Sequence, residues 1–316
     1  MTIDVLTAGI QTTLQAGLRR GHRHWGVPWS GPADALSCAL ANRSIGNQLD
    51  APALEITYGL FGSVFRQTTL FCLMGAPALA HLNDRVIQYG VPTKAVAGDV
   101  LTLSASERGV RTYLAISGGF RASSVMNSLS TYLPAALGGF EGRTLKDGDR
   151  LHIGESESSQ PAITIPIEHH VSIQEQWRLR LHAAGNLDPG SPSHRNLFTE
   201  PFTATRRANR MGLQIDGPCF DPTSHADMES VPVFPGTVQC PPDGKPYILL
   251  CDAQTTGGYP RLGHIARVDR YKLGQIRPGN TVRFLEVTPT SAARALSTKK
   301  ETLKELGLES LIDEIF

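Results

Sequence analysis

A mainly β fold is the class this 316-residue sequence predicts, on three observations. Thirty-one glycines and twenty-one prolines break the chain into many short apolar runs, a punctuation suited to barrels and sandwiches. Runs such as Thr69-Leu-Phe-Cys-Leu-Met74, Arg111-Thr-Tyr-Leu-Ala-Ile116 and Thr281-Val-Arg-Phe-Leu-Glu-Val287 favour β-branched, aliphatic and aromatic residues, which suit a pleated surface. A turn-plus-strand phrase also recurs, as Gly98-Asp-Val-Leu-Thr-Leu103, Gly148-Asp-Arg-Leu-His-Ile153 and Gly279-Asn-Thr-Val-Arg-Phe284. It reads either as a repeated barrel-closing strand or as a chance recurrence common in β proteins.

The length passes the roughly 250–300 residues at which a single core stops growing, so two domains are expected. The first helix is predicted from Asp34, an N-cap candidate; Leu36, Ala39 and Leu40 follow at helical spacing before a Gly46-Asn47 stop. The polar run from Glu155 to Gln160, followed by Pro161, is the best linker candidate. It sets the expected domains at 1–160 and 161–288, with a helical tail over 289–316. In that tail Ala292, Ala295, Leu296, Leu303 and Leu306 share one loose face after Pro289, and Gly307 ends it.

A formal charge of +1 leaves no basic excess for a nucleic acid backbone or an anionic membrane. Small molecules or proteins are the expected partners. Five cysteines, Cys38, Cys72, Cys219, Cys240 and Cys251, are odd in number and lack C-x-x-C spacing. They read as reduced core residues of a cytoplasmic protein. No apolar run approaches the roughly 18 residues of a membrane span, and nothing near Met1 resembles a signal peptide.

The richest stretch is Cys251-Asp-Ala-Gln-Thr-Thr-Gly-Gly-Tyr-Pro260. It follows the predicted strand Tyr247–Cys251, so a rigid element can present Asp252, Gln254, Thr255 and Thr256. Gly257 and Gly258 allow a sharp turn or close approach to a ligand, although a plain polar turn explains them equally well. Glu55 sits in an apolar context and needs a partner if buried, most simply an arginine. Asp34 can cap its helix and also border a cleft. Arg210, in Asn209-Arg-Met-Gly212, can clamp a carboxylate with its planar fork or tie its loop down in an ion pair. Ser117-Gly-Gly119 reads as a nest or close-approach turn, and the charges from Glu141 to Asp149 as a solvated hairpin rim ahead of an anion site. His22 and His24 lack an identifiable third ligand, so no metal is expected. The chain contains no G-x-x-x-x-G-K-[ST], G-x-S-x-G or H-E-x-x-H, which leaves nucleotide or hydrolytic chemistry to another layout or another chain.

Seven ordered blocks together carry a family resemblance: Gly26-Val-Pro with Gly31-Pro-Ala-Asp34, Ala41-Asn-Arg-Ser-Ile-Gly-Asn47, Ala53-Leu-Glu-Ile-Thr57, Tyr113–Gly119, Asn209–Gly212, Pro235-Gly-Thr-Val-Gln239 and Asp252–Pro260. The chain resembles the biotin-dependent carboxyltransferase family, and within it the group of 5-oxoprolinase C subunits, also labelled allophanate hydrolase subunit 2 or KipA-like. The resemblance implies two cyclophilin-like β-barrel domains with a few short helices. It also implies a complex with two further proteins, a KipI-like B subunit and a lactam-utilisation A subunit, which opens 5-oxo-L-proline to L-glutamate with ATP. The ATP site is not placed in this chain. Carried over by motif, Asp34, Glu55, Asp252 and Gln254 are candidate catalytic residues acting on a small amide substrate. Arg210, Thr255, Thr256, Gly257, Gly258 and Tyr259 are candidate substrate-binding residues. In this reading Arg210 holds a carboxylate, Asp252 or Glu55 serves the lactam nitrogen, and Gln254 with Thr255 donates to the oxyanion.

Three departures matter. Leu14-Gln-Ala-Gly-Leu-Arg19 has Ala16 where family members carry an aspartate and Leu18 where they carry a glycine, and His182-Ala-Ala-Gly185 stands where they read Pro-Gly-Pro. Two alternatives therefore stay open. One is a carboxyltransferase for urea or a related amide, with biotin carried by another protein; the other is a KipA-like regulator that binds a KipI-like partner.

Overall fold

The computed structural model describes residues 2–155, 160–184, 187–220 and 228–308. Its contacts divide the chain into two units: one takes in residues 2–20 and 30–173, the other residues 21–29 and those from 174 onward. The expected linker falls largely on residues 156–159, and the end of the tail on 309–316, both outside the described residues.

In the first unit the strands are Thr2–Thr7 (β1), Gln11–Gln15 (β2), Ala53–Thr57 (β3), Gly62–Phe65 (β4), Thr69–Gly75 (β5), Ala80–Leu82 (β6), Arg85–Val86 (β7), Thr93–Ala95 (β8), Val100–Leu103 (β9), Arg111–Ile116 (β10) and Arg150–His152 (β11). They make two sheets, ordered β11-β1-β4-β9-β6-β7 and β2-β3-β10-β5-β8. Register explains what each face does. Leu14, Leu54, Leu114 and Leu73 lie opposite one another across β2, β3, β10 and β5, and all four point into the core. One residue along, Thr13, Glu55, Tyr113 and Met74 form the neighbouring row, which the pleat turns to the other face. Helix α1, Ala35–Ser44, packs on β3, β5 and β10. Asp34 is its N-cap, accepting from the Ser37 N–H, and Gly46 ends it in the left-handed region.

The second unit contains Gln176–Ala183 (β12), Phe202–Ala208 (β13), Gly212–Asp216 (β14), Val231–Pro232 (β15), Thr237–Gln239 (β16), Tyr247–Leu249 (β17), Thr256–Gly257 (β18), Arg261–Ile265 (β19) and Thr281–Glu286 (β20). Seven of them close a barrel in the order β12-β19-β16-β17-β14-β13-β20, while β15 and β18 form a separate ladder. Helix α2 is Pro192–Thr199 and helix α3 is Pro289–Lys304. Thr288 and Ser291 form a capping box on α3, and Leu303 and Leu306 are buried as expected. The chain is thus mainly β with short helices and a C-terminal helix. Of its free cysteines Cys38, Cys72 and Cys240 are buried, whereas Cys219 is exposed, contrary to its reading as a core residue. No helix among the described residues is long and apolar enough to cross a membrane.

The recurrent glycine phrase is one turn used three times. Gly98, Gly148 and Gly279 have φ of +94°, +87° and +89°, conformations that favour glycine in the third position of a type II turn. Each glycine N–H donates to a neighbouring strand, at Phe65, Val5 and Ala204; the next residue's carbonyl accepts from that same strand residue's N–H. The Asp99, Asp149 and Asn280 side chains then accept the N–H of Val96, Lys146 and Arg277, three residues back.

Asp4 on β1 accepts from Arg150 of β11 at 2.7 and 2.9 Å and from Arg66 at 2.8 Å. The Arg150 guanidinium, helped by Arg66 and opposed by burial, holds its carboxyl at about 2 against an ordinary 3.8. A depressed carboxyl stabilises the fold above its ordinary value, and that contribution is lost as pH falls through its folded value. Asp4→Asn is therefore expected to lower the melting temperature near neutral pH. The gap to the unaltered protein should close between about pH 4 and 2 in thermal melts.

Candidate functional site

The polar chemistry is held in two clusters, one in each unit. In the first unit Glu55 Oε2 accepts from the Ala33 N–H at 2.8 Å and from the Tyr113 hydroxyl at 2.7 Å. Arg111 Nε lies 3.3 Å from Oε1, an ion-pair distance poorly aligned for a hydrogen bond. This is the arginine partner expected for Glu55. The Tyr113 oxygen accepts in turn from the Asp34 N–H at 2.8 Å, so the network runs to the start of α1. Burial, reinforced by the Glu55 and Asp34 charges, pushes the Tyr113 phenol well up, and burial does the same to the Cys38 thiol. Asp34 is fully buried and Glu55 is 2% exposed. Both side chains are enclosed, with the Glu55 carboxylate accepting from Ala33 and Tyr113 and that of Asp34 from the Ser37 N–H and hydroxyl.

Nearby blocks also serve structure. The Asn47 amide donates to Asn42 and to the Ile116 carbonyl and accepts from the Gly118 N–H, tying the end of α1 to Ser117-Gly-Gly119. A Cβ on Gly118 would lie 2.4 Å from the Gly154 oxygen, the close approach foreseen there. At Ala16 the backbone exchanges hydrogen bonds with the Ser130 hydroxyl. Arg19, fully buried, donates to the Ser130 and Val125 carbonyls and the Ser30 hydroxyl. The Leu18 side chain occupies the space beside Gly31, 2.6 Å from where a Cβ would stand.

In the second unit Arg210 and Asp252 form a two-bond ion pair at 2.7 and 3.2 Å, with side chains 4% and 1% exposed. The clasp is doubled by the backbone, since the Asp252 N–H donates to the Arg210 carbonyl. Arg210, expected to hold a substrate carboxylate, here holds that of Asp252 and ties its loop down. Asn209 pins the turn that carries Arg210, accepting from the Met211 and Gly212 N–H groups.

Further along, the Thr255 carbonyl accepts from Val233 N–H and from Arg23, which also donates to the Val233 carbonyl. The Arg23 guanidinium stacks on Trp29 and Phe234 at 5.0 and 4.7 Å. Thr256 and Gly257 pair with β15, and Tyr259 is 42% exposed. Neither Gly257 nor Gly258 takes a positive φ, so they make no sharp left-handed turn. At Gly257 the missing side chain matters, because a Cβ would lie 3.3 Å from Gln239 Oε1.

Gln254, half-buried, lines a cleft of ≈ 500 Å³ with Arg206, Arg207, Gln239 and Tyr247. Sequence reading missed these four companions. Gln239 lies in one of the seven family blocks, but only the register of β16 against β17 places it opposite Tyr247. No group of three metal-ligating side chains comes together among the described residues.

Residues 25–286 match the family model of the carboxyltransferase domain, subdomains A and B. The chain is 36% identical over 312 residues to the 5-oxoprolinase C subunit of Escherichia coli strain K12, covering 96% of this chain and 97% of that protein. It is 31% identical to the Haemophilus influenzae protein of the same name, over 99% of both. Among solved structures, the K. lactis urea amidolyase superposes with a TM-score of 0.88 at 27% identity, over 96% of this chain. The chain spans only 20% of that enzyme's length.

Proposed function

We propose that this chain, which belongs to the carboxyltransferase domain family, is the C subunit of an ATP-dependent 5-oxoprolinase that opens 5-oxo-L-proline to L-glutamate. The observation that carries the reading is correspondence along the whole length to proteins bearing that name, where the urea enzyme is matched over a fifth of its chain. Opening a lactam to an amino acid adds water: a C–O bond forms at the carbonyl carbon and puts charge on the carbonyl oxygen, then the ring C–N bond breaks and its nitrogen takes up the proton that the water gives up. Gln254, carried into the cleft by the clasped loop, is the residue we assign to the carbonyl oxygen, through its amide N–H. Asp252 and Arg210 act as positioning residues that fix Gln254, and Asp34 and Glu55 hold the first unit's helix to its sheet. ATP enters as a co-substrate of the complex.

The test is to co-express the chain with its KipI-like and lactam-utilisation partners and follow glutamate release from 5-oxo-L-proline with and without ATP. ATP-dependent release that stops when this chain is omitted is the expected result. A well-formed complex without turnover would overturn the reading. The next candidate would then be transfer of a carboxyl group to urea from carboxybiotin on another protein, which the TM-score of 0.88 to urea amidolyase favours. A partner bound without either activity would point to the regulatory role.

A further inference from the structure

The cleft beside Gln254 lies on the outward side of the second barrel's wall. Val238, Ile248 and Leu213 oppose one another across β16, β17 and β14 and are buried, which turns Gln239, Tyr247 and Gly212 outward. Three observations there point to a ligand.

The first is an irregularity in β13. Ala204 pairs with Ile215 and Ala208 with Leu213, so three residues of β13 stand against Gln214 alone. Such a bulge re-aims side chains, and this one carries Arg206 and Arg207, both exposed, to the cleft. Among the described residues neither makes an ion pair, and none of those lining the cleft is acidic.

The second is Gln239, 4% exposed, whose Oε1 is buried with no hydrogen-bond partner among the described residues. A buried polar atom left in that state is costly to keep. The third is the pair of glycines beside it. A Cβ at Gly257 would press on Gln239 Oε1 at 3.3 Å, and one at Gly212 would contact Tyr247 at 3.7 Å. Glycine at 212 keeps the cleft floor free of a side chain, and glycine at 257 keeps one off the Gln239 amide.

We infer that this cleft binds a lactam bearing a carboxylate, with the Gln239 carboxamide pairing to the ring amide and Arg206 and Arg207 taking the carboxylate. A lactam is a cis amide, so its N–H and C=O lie side by side and match the C=O and N–H of a primary carboxamide in two parallel hydrogen bonds. Two guanidiniums beside an amide site select the acid over the neutral lactam. The inference deepens the 5-oxoprolinase reading and rests on it only for the choice of first probe.

The experiment is calorimetric titration of the full chain with 5-oxo-L-proline, its six-membered homologue 6-oxopiperidine-2-carboxylate, 2-pyrrolidinone and L-proline. Both lactam acids are expected to bind at least about tenfold more tightly than the other two. Replacing Arg206 and Arg207 together with alanine should weaken the acids about tenfold and leave 2-pyrrolidinone unchanged. Gln239→Leu should weaken every lactam, and Gly212→Val should exclude all of them. Because Gln239 is buried, the exposed arginine pair tests the site free of any folding defect. Failure of both acids to bind, or binding indifferent to both the arginine and the Gln239 replacements, overturns the inference. The two readings fail separately. Turnover of 5-oxo-L-proline by the complex with a KM unmoved in these variants sinks the cleft and spares the enzyme. Arginine-dependent binding of the six-membered acid without 5-oxoproline turnover does the reverse.

Discussion

Asp252→Ala is expected to destabilise the second unit by about 3–5 kcal/mol, because it strips the carboxylate from a guanidinium that is 4% exposed. The size of the loss comes from stranding a buried charge more than from the attraction given up. Arg210→Met combined with Asp252→Ala should therefore be less damaging than Asp252→Ala alone, since apolar side chains of similar volume often replace a buried ion pair without net cost. Urea unfolding of the three variants measures both statements. Turnover by the complex should collapse in Asp252→Ala, because the clasp that presents Gln254 is gone. It should stay low in the double variant even where stability recovers, and that split separates positioning from folding. Recovery of turnover together with stability would show that the clasp has no role in the chemistry.

Glu55→Ala carries the second large effect, again about 3–5 kcal/mol, through the same stranding of a buried arginine and the loss of two donated hydrogen bonds. Glu55→Gln is the more informative change. Its carbonyl oxygen can still accept from Ala33 N–H and the Tyr113 hydroxyl, while its amide group turns a donor toward Arg111. We expect a lower melting temperature but near-normal turnover per folded complex, as suits a carboxylate that is 2% exposed. A stable Glu55→Gln complex with turnover abolished would instead make Glu55 a proton carrier. Tyr113→Phe should reproduce part of the stability loss, since the Asp34 N–H would lose its acceptor at about 1–3 kcal/mol.

Local chemistry was the legible part of this fold. Asp34 reads as a helix cap from its own sequence because a short acceptor three residues before a free N–H needs nothing else. The recurrent Gly-Asp or Gly-Asn phrase is equally local, with turn, φ and side-chain acceptor all contained in four residues. Glu55 was legible as a buried acid needing an arginine, but its other side-chain partner, the Tyr113 hydroxyl, lies 58 residues away and no local pattern reports it. Arg210 and Asp252 each stand out in the sequence, yet their pairing spans 42 residues and no periodicity reports it. The cleft was least legible. It is set by a register shift in β13 and by strand pairing of Gln239 with Tyr247, and neither leaves a mark on composition or spacing.

The excursion of residues 21–29 into the second unit bears on how the chain can be dissected. A fragment beginning at Gln174 would lack Arg23 and Trp29. The Val233 and Thr255 carbonyls would then lose a charged donor and Phe234 its stacked cation. Thr255 belongs to the same loop as Gln254, so the fragment would carry that loop with one of its anchors missing. The second half is thus discontinuous in sequence, and a single cut near the middle of the chain yields one piece with a surplus segment and another with a hole.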